Sequence, residues 1–223
     1  GIERSKDYKR EMAEHRYLVD QPARQFVRKA QCHYGWDWGP CFPTMGIWRD
    51  IDLVGFSSPR IRYTVTEQKL RGKTVLLTLR VGLDVPQEGR YELSAEVEGE
   101  KVKRKAVIKE GQKEEVLELE VEDPDLWWPA GYGEQNLYDL KVTSSGTKEK
   151  NIFEKKIGFR QLDLLRKNDS EGKSFYFEVN GTPVFAKGAN WIPADSFPGR
   201  MTDERYRNLL QSALDANMNC LRI

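Results

Sequence analysis

"EEVLELEVED", residues 114–123, sets Val116, Leu117, Leu119 and Val121 against glutamates in alternation for most of its length. A period of two marks a strand with one face on a core and the other in water. A helix would instead bring apolar residues round every three or four positions. Reading outward, the same texture recurs in "RIRYTVTE" (60–67), "TVLLTLRVGLD" (74–84), "RYELSAEVEG" (90–99), "EKVKRKAVIKE" (100–110), "NLYDLKVTS" (136–144) and "NIFEKKIGFRQLDLL" (151–165). Gly, Pro or charged turns separate them, and no helix-period segment interrupts. Seven short strands in about 110 residues fit an immunoglobulin-like β-sandwich, expected over residues 57–166. The Glu98-Gly99-Glu100 turn and the "KEGQKEE" loop read as solvated hairpin ends, not as acidic ligand sites.

The flanks differ from this centre. Residues 1–56 are irregular until "GIWRDIDLVGF", where Ile47, Ile51, Leu53 and Phe56 flank charges as in a half-buried strand. That predicts the end of a further β domain. On the other side, "SFYFEVNGTPVFAKGAN" sets Phe175, Phe177 and Val179 on one face, then offers Asn180-Gly181, a strong hairpin signal. Next the period changes to that of a helix. Tyr206, Leu209, Leu210, Ala213 and Leu214 share one face, Thr202 is a candidate N-cap, Asp203 and Glu204 suit the positive end of the helix dipole, and Asn217 can end the helix in the left-handed region. A strand over 219–223 would complete a βαβ unit in residues 167–223. Such a unit cannot bury its own faces, so the chain is expected to be a piece of a larger protein.

Bulk properties exclude several classes. Of the 223 residues 39% are hydrophobic and 32% charged, enough for cores beneath a wet surface. A net charge of +1 argues against nucleic acid or an anionic membrane as partner. No apolar run approaches the roughly 20 residues that span a bilayer. Cys32, Cys41 and Cys220 make an odd count, which is no disulfide scaffold. Cys32, His33 and Cys41 match no common zinc spacing, and no metal or cofactor is expected. The two N-glycosylation sequons, at Asn168 and Asn180, are about what chance yields.

Three clusters combine tryptophan with acids or amides: "GWDWGP" (35–40), "DLWWPAGYGEQ" (125–135) and "KGANWIPADSF" (187–197). Sugar hydroxyls bond to carboxylates and amides, while sugar C–H faces stack on aromatic rings. The alternative in each case is packing. Trp127 and Trp128, before Pro129, read as packing a domain edge. Trp191 follows the expected first parallel strand, and ligands bind at the C-terminal ends of such strands.

"QCHYGWDWGPCFPTMGIWRDIDL", "LWWPAGYGEQNLYDLKV", "IGFRQLDL", "FYFEVNGTPVFAKGANWIPADSF" and "LLQSALDANMNCLRI" together resemble the β-mannosidase branch of glycoside hydrolase family 2. The W-D-W-G-P and G-A-N-W-I-P-A-D strings are the specific ones. The resemblance implies a mainly β chain, with the C-terminal part of a jelly-roll sugar-binding domain in 1–56. The sandwich would follow in 57–166, and the first βαβ unit of a (β/α)8 catalytic barrel in 167–223. It implies a retaining exo-glycosidase acting on β-mannoside oligosaccharides, whose two catalytic glutamates belong to later barrel strands outside this chain. Here the chain would supply substrate contacts: Asp37 accepting bonds from the terminal mannoside, Trp36 walling the pocket, Asn190 and Trp191 forming its other wall, and Arg222 if its register points it inward. A sibling glycosidase or a non-catalytic sugar-binding fragment are the competing readings. For Asp37 the competing role is to cap its own turn.

Overall fold

The structure, a computed structural model, describes residues 27–44, 46–47, 49–111, 114–146 and 149–223. Much of the expected jelly-roll segment, residues 1–26 with Met45 and Trp48, lies outside the described residues. Strands β1 (Tyr34–Trp36) and β2 (Gly39–Cys41) form a small hairpin, preceded by a 3-10 turn over Gln31–His33. The strand expected around "GIWRDIDLVGF" does not form: residues 49–56 carry no ladder, and Ile47, Ile51 and Leu53 are among the most exposed apolar residues. Alternation makes a strand only where a neighbour supplies hydrogen bonds and a face to bury. Among the described residues none does so here.

Seven strands follow: β3 (Arg60–Arg71), β4 (Thr74–Asp84), β5 (Gly89–Val97), β6 (Glu100–Ile108), β7 (Glu114–Glu122), β8 (Tyr138–Ser145) and β9 (Lys150–Ile157). They pair antiparallel in two sheets, β3-β4-β7 and β6-β5-β8-β9. The fourth strand joins the third instead of the fifth, giving three strands plus four where the constant-type immunoglobulin domain has four plus three. In β7 the inward phase is Leu117, Leu119 and Val121, facing Leu79, Leu77 and Val75 of β4 across the ladder. Val116, counted with them from the sequence, falls in the other phase and is exposed; Glu115 takes the inward phase instead, beside Arg104 at 3.4 Å. Leu93, Leu140 and Val142 come from the other sheet, and all join one buried cluster with Phe159. Each such leucine contributes about 1.5–3 kcal/mol by leaving water.

Polar side chains bridge the outer strands of the two sheets. Between β3 and the chain from β9 onward, Asn151 Oδ1 accepts from Ile61 N at 2.9 Å, Lys155 Nζ donates to Thr64 O at 2.8 Å, and Gln68 Nε2 donates to Gly158 O at 2.9 Å. Burial depresses the Lys155 pKa. Across the opposite seam Arg104 donates to Val116 O at 3.1 Å. These bonds use edge groups that would otherwise recruit another strand.

The last of the seven expected strands splits in two. The β9 ladder ends at Ile157, and Leu162–Leu165 (β10) pairs with Tyr176–Val179 (β11) instead. Gly158 and Phe159 between them are used by neighbours: Trp127 N donates to Phe159 O at 2.8 Å, and a Cβ on Gly158 would meet the Trp127 side chain at 2.9 Å. From β11 the chain turns through Asn180 (φ 51°) and Gly181 (φ 78°) into β12 (Thr182–Val184). Two positive φ values make the expected hairpin turn a primed one.

The expected strand, helix and strand then appear as β13 (Gly188–Asn190), α1 (Asp203–Asp215) and β14 (Cys220–Arg222), with β13 beside β14. Thr202 Oγ1 accepts from Arg205 N at 3.3 Å, as its capping role requires, and Asn217 sits at φ 57° beyond the helix. Contacts divide the chain into two compact units. One gathers the described residues up to Asp52 with Asn190–Gln211 and Ile223; the other gathers Leu53–Ala189 with Ser212–Arg222.

Candidate functional site

In the first unit, the β1–β2 hairpin presents Trp36, Asp37 and Trp38. Trp36 pairs with Gly39, so Asp37 and Trp38 are the whole connection. Neither has positive φ, so the turn is not the primed type; Gly35, at φ 96°, takes the left-handed conformation one residue before Trp36. Gly39 sets no side chain opposite Trp36 on the ladder. Trp36 is 49% exposed and Trp38 is 38% exposed, with exposed Asp37 between them. Two partly exposed indoles around a carboxylate suit a ligand with both apolar faces and hydroxyls.

The hairpin base is fixed. Phe42 N donates to His33 O at 2.9 Å, extending the ladder one step, and the Phe42 ring stacks on Phe197 with centroids 5.4 Å apart and planes 22° apart. His33 Nδ1 is buried without a hydrogen-bond partner among the described residues, and burial together with the Lys29 charge lowers the imidazole pKa.

The segment after β13 carries the second cluster. Asn190 ends the strand, exposed and engaged in a polar or electrostatic contact. Trp191 is half-buried and stacks on Tyr206 of α1 at 6.4 Å. Asp195 was not expected as a site residue, and its carboxylate is tightly held. Its Oδ1 accepts from Phe197 N at 2.8 Å. Its Oδ2 accepts from Arg200 Nε (3.0 Å), Arg200 Nη2 (2.8 Å) and Arg205 Nη1 (3.1 Å). The Phe197 amide and then the guanidinium of Arg200 hold its carboxyl down to about 2. A general acid needs a pKa raised toward the working pH, so Asp195 is a structural anion. Sequence patterns miss it because Asp195 and Arg200 lie in an irregular segment that carries neither the helical nor the strand period.

Trp36, Asp37, Asn190 and Trp191 thus fall in one compact unit. Arg222 belongs to the other unit, exposed at the end of β14 and engaged in a contact of its own. There, Asn219 ties the strands together. Its Oδ1 accepts from Lys187 N at 2.9 Å, and its Nδ2 donates to Phe185 O at 3.1 Å. The "LWWPAGYG" tryptophans pack, as read: Arg160 lies 4.7 Å over the Trp127 ring, and a Cβ on Gly133 would meet Trp128 at 2.8 Å.

Residues 2–49 match the family model of the glycosyl hydrolase 2 galactose-binding domain-like fold, and residues 59–160 match that of glycosyl hydrolases family 2. This chain belongs to glycosyl hydrolase family 2. Within the family it is 36% identical over 220 residues to the β-mannosidase of Capra hircus, covering 89% of this chain and 24% of that protein. It is 32% identical to β-mannosidase B of Emericella nidulans, covering 93% and 25%. The crystal structure of β-D-mannosidase from Dictyoglomus thermophilum superposes with a TM-score of 0.84 at 34% identity, over 98% of this chain and 28% of that one. The exo-chitosanase of Amycolatopsis orientalis, at 24% identity and a TM-score of 0.59, shares the fold. The chain therefore spans about a quarter of the length of the curated family 2 relatives it matches.

Proposed function

We propose that the full-length protein is a retaining exo-β-mannosidase that releases terminal β-D-mannose, and that this segment supplies part of its substrate pocket. The carrying observation is the β1–β2 hairpin, a carboxylate between two exposed indoles in a chain at least 30% identical to β-mannosidases over nearly all its length. In this reading Asp37 accepts from hydroxyls of the terminal sugar and Trp36 packs its C–H face. Asn190, Trp191 and Arg222 complete the contacts. The domains run 1–56, 57–166 and 167–223, as jelly-roll end, sandwich and barrel start. The chemistry is that of two carboxyl groups about 5–5.5 Å apart, one as acid/base and one as nucleophile, and both lie outside this segment. Its own residues bind and orient.

The test is release of p-nitrophenol from β-mannoside, β-galactoside, β-glucuronide and β-glucosaminide by the full-length enzyme. A preference for the mannoside is expected. Preference for another glycoside overturns the substrate assignment, and binding without turnover of any overturns the enzymatic one. The 223-residue chain alone is expected to release nothing above a buffer control.

A further inference from the structure

Asp195 holds four hydrogen bonds from three residues, and its side chain is 3% exposed. All of them tie down one ring. Phe197 gives its amide to Asp195, and its carbonyl accepts from Arg200 N at 2.9 Å. The Arg200 guanidinium lies 5.4 Å over the Phe197 ring while gripping Asp195 through two nitrogens. Arg205, in the first turn of α1, reaches back to Asp195 and also donates to Arg200 O at 3.1 Å. So the Phe197 ring is anchored to a helix through a closed set of charge-assisted bonds, the strong kind. Its stacking partner is Phe42, one residue beyond β2 and bonded to the hairpin base.

We infer that Asp195, with Arg200 and Arg205, is a positioning clamp that sets the tilt of the Trp36–Asp37–Trp38 hairpin through the Phe197–Phe42 stack. The inference rests on the proposed substrate role of that hairpin. The lever is short: the turn stands four residues from Phe42, about 13 Å along an extended strand. A tilt of roughly 10° at the base therefore moves the Asp37 carboxylate by about 2 Å, and a misplacement of about 1 Å can cost on the order of a hundredfold in rate. Asp195 touches no substrate in this scheme and acts through the rings.

The test is a double-mutant cycle on kcat/KM in the full-length enzyme, with Asp195→Asn, Phe42→Ala and the pair. Asparagine keeps an acceptor for Phe197 N but loses the charge that holds both arginines. If the clamp works through the stack, each single change lowers kcat/KM by about tenfold or more, and the double loses no more than Phe42→Ala alone. Losses that multiply, or an Asp195→Asn enzyme with normal kcat/KM, overturn the inference. Should Asp195→Asn fail to fold, Arg200→Lys keeps the charge and removes the two-nitrogen grip, and the same non-additivity with Phe42→Ala is expected. The substrate reading fails separately. A wild type that cleaves a different glycoside sinks the mannoside assignment, and the cycle is then run on that glycoside.

Discussion

Asp37 and Asp195 are both aspartates of the first unit, and their surroundings give them opposite work. Asp37 is exposed between indoles, and its acceptors are open to a ligand. Asp37→Asn keeps the shape and removes a charge-assisted acceptor, a bond of about 1.5–3 kcal/mol. In the full-length enzyme kcat/KM should fall by roughly ten- to a few-hundredfold with the melting temperature unchanged. Normal kinetics with a depressed melt would mean that Asp37 only caps its turn. Asp195 is consumed by its partners. Its folded pKa, about 2, lies below the ordinary 3.8, so the clamp's contribution is complete above 3.8 and is lost as pH falls through about 2. A carbon-13 titration of the Asp195 carboxyl should therefore show a midpoint near 2; one near 3.8 would mean that neither the Phe197 amide nor the arginines hold it in solution.

At the scale of elements, the β11–β12 turn joins local and tertiary demands in one residue. Asn180 takes φ 51° for the primed turn; its Nδ2 donates to Trp127 O at 3.0 Å, and its Oδ1 accepts from Gln161 N at 2.9 Å. Asn180→Ala strains the left-handed backbone and leaves both partners unmet, an expected loss of about 2–4 kcal/mol. Asn180→Gly relieves only the strain and should recover about 1 kcal/mol of that. Urea midpoints of the two variants measure the difference; equal losses would show that the side-chain bonds carry the whole effect. The Asn-Gly signal was legible in the sequence, but the partners of Asn180, 19 and 53 residues away, were not.

For the whole molecule, Asn180 and the bond from Phe185 N to Tyr132 Oη at 3.1 Å tie the hairpin to the loop before β8. We expect a polypeptide of residues 57–166 to fold, and one of 57–189 to melt a few degrees higher, since about 1 kcal/mol shifts a domain of this size by about 3–5 °C. Equal melts would mean that these bonds add nothing. The longer piece also adds Phe175 and Phe185, both exposed. On α1, Leu209, Leu210 and Leu214 are likewise exposed among the described residues.

The sequence by itself determined the strands from β3 to β9, the primed turn, the capped helix and the family. Each is written in a period, a turn pair or a contiguous motif, and so depends on neighbours in the chain. It overran at "GIWRDIDLVGF", where alternation has no partner strand among the described residues, and at Ile157, where Trp127 takes the carbonyl of Phe159. Only the tertiary structure decided the three-plus-four division of the sheets and the inward turn of Glu115. It alone brought Phe42 onto Phe197 and closed both arginines on Asp195. These depend on which surfaces meet once the chain has folded back on itself, and no local spacing encodes that.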